Sequence, residues 1–323
     1  MQVDRPKDYE DFLTVFAHEY FHAWLVKHLR PASFLPYKLE RECHTHDLWV
    51  FEGFTTYYEN VLPFRAGVLD EDKLLSLTSA RFNRVREREG FHVESLSDAS
   101  FNAWTHLYKQ TPDSAYCQAS YYGKGAVLAF MLDAALRKAG FSLDEVLKTW
   151  FHEALADPQA RSLPDGGFFE RIPVASIAER FKKLVTSSDR TLWENEWRCA
   201  LSTLGMSEEA DKNTPASRMH LGLQLDGLRV RYAESRGSAY AAGLFAGDEI
   251  IAVNGLRADA ATIERMIAQA KGSTVHIHYF REHLLRSAEI EIPVNPLPQP
   301  GTLKMKNPTE FGRAWIRSSN RQA

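Results

Sequence analysis

The chain has 323 residues, 44% of them hydrophobic and 25% charged, and a formal net charge of −3. That length fits two or three domains with separate cores. The composition excludes wholesale disorder, and the near-neutral charge leaves no footprint for nucleic acid or an anionic membrane. No run of eighteen apolar residues occurs, and Met1 to Asp8 lacks the hydrophobic core of a signal peptide. The expectation is a cytoplasmic protein off the membrane. Cys43, Cys117 and Cys199 are odd in number and far apart, so they form neither a disulfide framework nor a thiolate zinc knuckle.

In chain order, residues 8–29 come first. Phe12, Leu13, Val15, Phe16, Ala17, Tyr20, Phe21, Ala23, Trp24, Leu25 and Val26 make this segment apolar on nearly every side, which predicts a buried helix ending before Arg30-Pro31. A polar loop over 31–46 follows, and then a second buried helix from Asp47 onward. The pattern stays helical to about residue 205, with helices expected over Tyr122–Ala139 and Leu143–Ala154. Ser142 and Glu145 make a capping box for the second of these. After Asn213-Thr214-Pro215 the character turns to short β-prone runs: Leu228–Tyr232, Glu249–Val253, Thr274–Phe280 and Ala288–Ile292. The fold class expected is α+β, with a mostly helical region over 1–212, a β-rich domain over 213–293 and an extended tail over 294–323.

The chemistry sits in the first two helices. His18 and His22 are four apart on a helix and present their imidazoles to one ion, while Glu19 beside them reaches a water without binding the metal. That is the arrangement of a zinc hydrolase, with Glu19 as general base. A third ligand is required. Glu52, inside Leu48-Trp49-Val50-Phe51-Glu52-Gly53-Phe54, is the best candidate, because burying an unpaired carboxylate there is costly and a metal removes the cost. Thr55, Thr56 and Glu59 recur at helical spacing and are placed to brace the ligands. Cys43, His44 and His46 are a rival donor set, but they lie in a loop without a partner at zinc-site spacing.

His18-Glu19-Tyr20-Phe21-His22-Ala23-Trp24, Lys27, Arg30-Pro31, Leu48 to Tyr58 and Ser120-Tyr121-Tyr122-Gly123-Lys124-Gly125-Ala126 together resemble the glycyl aminopeptidase family of thermolysin-like metallopeptidases, over residues 8–155. Leu25 stands where relatives carry asparagine. The resemblance implies a Zn2+-dependent, aminopeptidase-like hydrolase of peptides in which Tyr122 donates to the oxyanion, Tyr121 packs in the core, and Lys124-Gly125 shapes a helix entry. It also implies a β-sheet ahead of the active-site helix. Residues 1–7 supply none, so the chain is expected to be the C-terminal part of a longer protein. A catalytically impaired peptide-binding scaffold and a hydrolase of non-peptide substrates are the competing readings.

His220-Leu221-Gly222-Leu223-Gln224-Leu225, Arg236 to Leu244 and Ala246 to Gly255 resemble a PDZ domain of the bacterial protease-associated type over 216–293, with a helix over Ala260–Ala270. That resemblance implies an extended peptide, or a protein C-terminus, bound near Gly222 and Leu223, or else a domain that only packs.

Overall fold

The computed structural model describes residues 6–299 and 301–317; residues 1–5, 300 and 318–323 of the segments delimited above lie outside the described residues. The chain divides into two compact units, one of residues 1–110, 117–209 and 301–323, the other of residues 111–116 and 210–300.

The first unit is built on helices: α1 (Pro6–Phe21), α2 (Phe54–Arg65), α3 (Glu71–Arg86), α4 (Tyr121–Lys138), α5 (Leu143–Ala156), α6 (Ala175–Val185) and α7 (Arg190–Leu204). At its centre is α4. Its sequence is apolar on every side, and Ala126 through Leu132 are all buried, as expected of a helix with no polar stripe to offer water. Ser120 caps it by accepting from the Gly123 amide at 3.3 Å. Ser142 caps α5 in the same way, accepting from the Glu145 amide at 3.2 Å and donating to the Glu145 carboxylate at 3.0 Å.

α2 is buried along most of its length, so its polar side chains must find partners inside the protein. Tyr57, Tyr58 and Arg65 do so in one connected network. Tyr57 donates to Asp133 of α4 at 2.8 Å, and Tyr58 donates to Asp144 of α5 at 2.7 Å. Arg65 and Arg137 neutralise the two carboxylates. This network fixes the rotation of α2 about its axis, and with it the direction in which Glu59 points.

Three departures from the sequence reading have local causes. Helix α1 stops at Phe21 instead of running to residue 29, because Val26 takes a left-handed backbone (φ 81°) that a helix cannot contain and its amide bonds back to the Leu29 carbonyl at 2.6 Å. Nor is α1 wholly buried: Phe12, Val15, Phe16 and Tyr20 are exposed. The segment expected to be an extended tail instead returns to the first unit. Thr302–Met305 pairs antiparallel with Met206–Glu209, and a helix follows over Glu310–Ile316, with Trp315 buried and donating to the Tyr57 hydroxyl at 2.7 Å. The buried Trp315 supplies apolar area that outweighs the polar, proline-bearing composition around it.

The second unit is a sheet. With β1 given to Met206–Glu209, its strands are β2 (Leu223–Asp226), β3 (Arg229–Ala233), β4 (Glu249–Val253), β5 (Leu256–Arg257), β6 (Thr274–Arg281) and β7 (Leu284–Glu291), and Thr302–Met305 is β8. The order is β2-β3-β4-β6-β7, antiparallel throughout, with β5 paired to β4. Helix α8 (Ala260–Gln269) turns Ile263 and Ile267 into the core of this unit, and Glu310–Ile316 is α9. Among the described residues no helix is long and apolar enough to cross a membrane.

Lys124 is the most costly side chain in the core. Fully buried in α4, it donates to the carbonyls of Phe91 and Glu94 at 2.6 and 2.7 Å and sits over the rings of Phe91 and Trp193. It therefore ties the 89–94 turn to α4. Burial pushes its ammonium down to about 7 from 10.5, with Glu94 opposing. The folded state thus gives up this proton about where the unfolded chain still holds it. Unfolding free energy is expected to rise as pH increases from about 7 toward 10.5, and the Lys124→Met protein should lack that part of the slope in denaturant titrations at stepped pH.

Candidate metal centre

Two separate pieces of chain build the site. His18 lies in the last turn of α1, and His22 lies one residue past its end. Glu52 comes from Trp49–Gly53, which forms a π-helical turn leading directly into α2. The extra residue per turn re-aims one side chain inside a helical run, and such turns recur at functional sites for that reason. The turn is pinned by glycine. A Cβ on Gly53 would lie 2.6 Å from the Gly125 Cα, and one on Gly125 would lie 2.8 Å from the Gly53 Cα, so the two backbones touch. That contact brings Glu52 alongside the start of α4, where Tyr122 stands.

One carboxylate oxygen, Glu52 Oε2, is 3.4 Å from His18 Nε2 and 3.3 Å from His22 Nε2. The imidazoles meet nearly edge to face, 87° apart. One donor atom from each of the three residues falls within a 4.8 Å span, and among the described residues this is the single such cluster of three or more. Glu52 Oε2 is nonetheless buried with no hydrogen-bond partner. Lone pairs that converge without a hydrogen bond suit a cation. The spacing suits a small one, since a tetrahedron with arms of about 2.1 Å has edges of about 3.4 Å. The residues present therefore fit a zinc ion.

The electrostatics agree with this. Burial works to raise the Glu52 carboxyl, but His18 and His22 outweigh it and hold it down to about 2. Burial works to lower His18, but Glu52 and Glu59 outweigh it and push the imidazole up to about 9. The pocket demands positive charge between its carboxylates, and a divalent ion meets that demand while leaving both imidazoles neutral.

Glu59 is two turns along from Glu52. It takes the Nδ1 proton of His18 at 3.0 Å through one oxygen and pairs with Arg81 of α3 through the other. This fixes the tautomer, with the Nε2 lone pair of His18 directed toward Glu52. Of the three residues expected to brace the ligands, only Glu59 does so directly. Thr55 donates to the Phe51 carbonyl of its own helix at 2.5 Å, and Thr56 is packed in the interior. Arg81 was invisible in the sequence, since nothing in its spacing links it to the motif.

Glu19 is exposed on α1 between the two histidines. Tyr122 stacks on His18 with ring centroids 6.1 Å apart. Burial first, and the charge of Glu52 second, raise its hydroxyl above the ordinary tyrosine range, so it remains a proton donor. Tyr121 is buried against it, 4.8 Å between centroids. The rival donors are spent elsewhere: His44 Nδ1 bonds the Phe101 carbonyl at 2.9 Å, His46 Nδ1 bonds Ser97 at 3.0 Å, and Cys43 Sγ faces the Ser33 carbonyl. In the second unit, Gly222 takes a left-handed turn (φ 74°) with its amide donated to the Arg218 carbonyl, while Leu223 is buried in that unit's core.

Residues 11–128 match the family model of the M61 glycyl aminopeptidases. The match contains His18, Glu19, His22, Glu52 and Tyr122 and does not reach residues 210–300. The crystal structure of an aminopeptidase N family protein from Idiomarina loihiensis is similar to nearly the whole chain, with a TM-score of 0.82 and 29% identity over 97% of this chain. The chain spans 56% of that protein's length. A comparison with curated proteins gives no match. The family match and the structural likeness support a peptidase function.

Two substitutions test how the centre is held. Glu59→Gln should weaken zinc binding by about 10–100-fold in a chelator competition, because the neutral amide has one acceptor oxygen for two donors, His18 and Arg81, and no charge to orient the imidazole. Gly53→Ala should lower both the melting temperature and zinc affinity, since its methyl meets backbone, which cannot move aside cheaply.

Proposed function

We propose that the chain is a zinc-dependent peptidase of aminopeptidase-like type, with His18, His22 and Glu52 holding the ion. The observation that carries this reading is the convergence of two imidazole nitrogens on one buried carboxylate oxygen at 3.3 and 3.4 Å. When bound, zinc supplies Lewis acidity, acidifying water toward a pKa of about 7 and polarising a carbonyl. Glu19 takes the proton from the attacking water and passes it to the departing amine. Tyr122 donates its hydroxyl to the oxygen of the tetrahedral intermediate as negative charge collects there. Glu59 and Arg81 act through His18, keeping its second nitrogen proton-bearing.

The unit of residues 210–300 enters the proposal as a PDZ-like peptide-binding module. Its support is the antiparallel sheet with β2 as terminal strand, beside the turn that Glu264 of α8 ties down through the Ser217 amide at 2.9 Å. Since the Gly222 amide is engaged, the Leu223–Asp226 strand is the better candidate to receive an extended peptide. The competing reading is an impaired peptide-binding scaffold that keeps the metal.

One set of measurements on the full chain decides between them. Purified metal-replete protein should hold one zinc per chain by elemental analysis at this centre, and His22→Ala should lose it. Glu19→Gln should keep the zinc and lose metal-dependent hydrolysis of short peptides and aminoacyl amides by about 10²–10⁴-fold, and Tyr122→Phe should lose about 10²–10³-fold in kcat. Absence of zinc overturns the proposal. Zinc without any hydrolysis, unchanged by Glu19→Gln, selects the scaffold.

A further inference from the structure

We propose a second transition-metal site, on the β-sheet of the unit of residues 210–300, where His276 and His278 of β6 form a two-nitrogen chelate that Glu289 of β7 completes. The alternation of β6 puts Val275, Ile277 and Tyr279 into the core of this unit and turns His276 and His278 together onto the opposite face. Their rings lie 4.6 Å apart between centroids at an interplanar angle of 62°, close enough for one ion to bridge them. His278 Nδ1 is buried and has no hydrogen-bond partner, so a donor atom on this face is left without a proton partner in the protein.

The third ligand follows from the register. His276 accepts from the Asn254 amide at 2.7 Å and donates its own amide to Asn254 Oδ1 at 2.7 Å, so its backbone groups point toward β4. Toward β7 it therefore faces Glu289 as a non-hydrogen-bonded pair, the closer of the two antiparallel spacings. Glu289 shares the histidines' face and is exposed; its carboxylate does not converge with both rings as placed, and it completes the site by turning onto an ion that the rings hold. Two imidazoles and one carboxylate are a donor set for borderline divalent ions, Cu2+ and Zn2+ ahead of Mg2+ or Ca2+. The chain's other His-x-His pair does not share these properties: His44 and His46 each spend Nδ1 on a neighbour.

The test uses the isotope-labelled full chain, with substoichiometric Cu2+ as a paramagnetic probe read by amide line broadening. Within residues 210–300, resonances of residues 275–279 and 286–290 should broaden first, and the ion expected at His18 and His22 is read separately at their own amides. His276→Ala or His278→Ala should weaken this binding at least about tenfold, equivalent to roughly 1.4 kcal/mol. The His276→Ala/His278→Ala protein should abolish it, while His44→Ala leaves it intact. His278→Gln serves where alanine perturbs the sheet, since it keeps a polar group of similar reach without the imidazole. Broadening that starts elsewhere within residues 210–300, or that persists on β6 and β7 in the double variant, overturns the proposal.

Discussion

The contact between Gly53 and Gly125 is the constraint on which the candidate metal centre depends. A zinc site built from two helices needs its acidic ligand delivered to a point fixed by the other helix, within a few tenths of an ångström. A regular helix through Trp49–Gly53 would put residue 52 at a different angle, and any Cβ at either glycine would hold the turn away from α4. With no side chain at either position, the π-helical turn lies directly on α4, and Glu52 and Tyr122 share one cleft wall. Trp49, Val50 and Phe51 are buried around this contact, so hydrophobic burial holds together a backbone shape that is not the most favourable one locally.

Around that contact the protein assembles two polar networks on α2. Glu59 reaches His18 on one side and Arg81 on the other, so the ligand's orientation is tied to α3. Tyr57, Tyr58 and Arg65 tie the same helix to Asp133, Asp144 and Trp315. Each of these groups would be costly to bury alone, and each has a partner, although Arg65 leaves Nε without one. The consequence for function is rigidity. α2 cannot rotate without stranding several buried polar groups at once, so Glu59 is held against His18.

Most of the centre was legible in the sequence because its information is local. Four-residue spacing places His18 and His22, and an acid inside an apolar run marks Glu52. The strand expected at Glu249–Val253 has those bounds in the structure, and Thr274–Phe280 needs one more residue, its Val275, Ile277 and Tyr279 facing the core with a clear period of two. What was not legible is what depends on distant residues. Arg81 meets Glu59 only through the packing of α3, and the return of Thr302–Met305 onto Met206–Glu209 is a four-residue pairing with no periodicity to read. Helix α1 was misjudged at its end because Val26, a poor residue for a left-handed backbone, occupies one.

The three histidine pairs show what turns such a pair into a ligand set. Spacing alone does not, since His44-x-His46 and His276-x-His278 have the same separation. The deciding factor is what occupies the second nitrogen and whether a carboxylate shares the face. At His18 and His22, Glu59 orients one ring and Glu52 sits between both. At His44 and His46 the loop has used Nδ1 of each ring for its own hydrogen bonds, and both rings stack on Phe101. On β6 the strand aligns both rings without such a claim on His278, and the register brings Glu289 opposite. A histidine pair in this chain can therefore bind an ion to the extent that the local backbone leaves its nitrogens uncommitted.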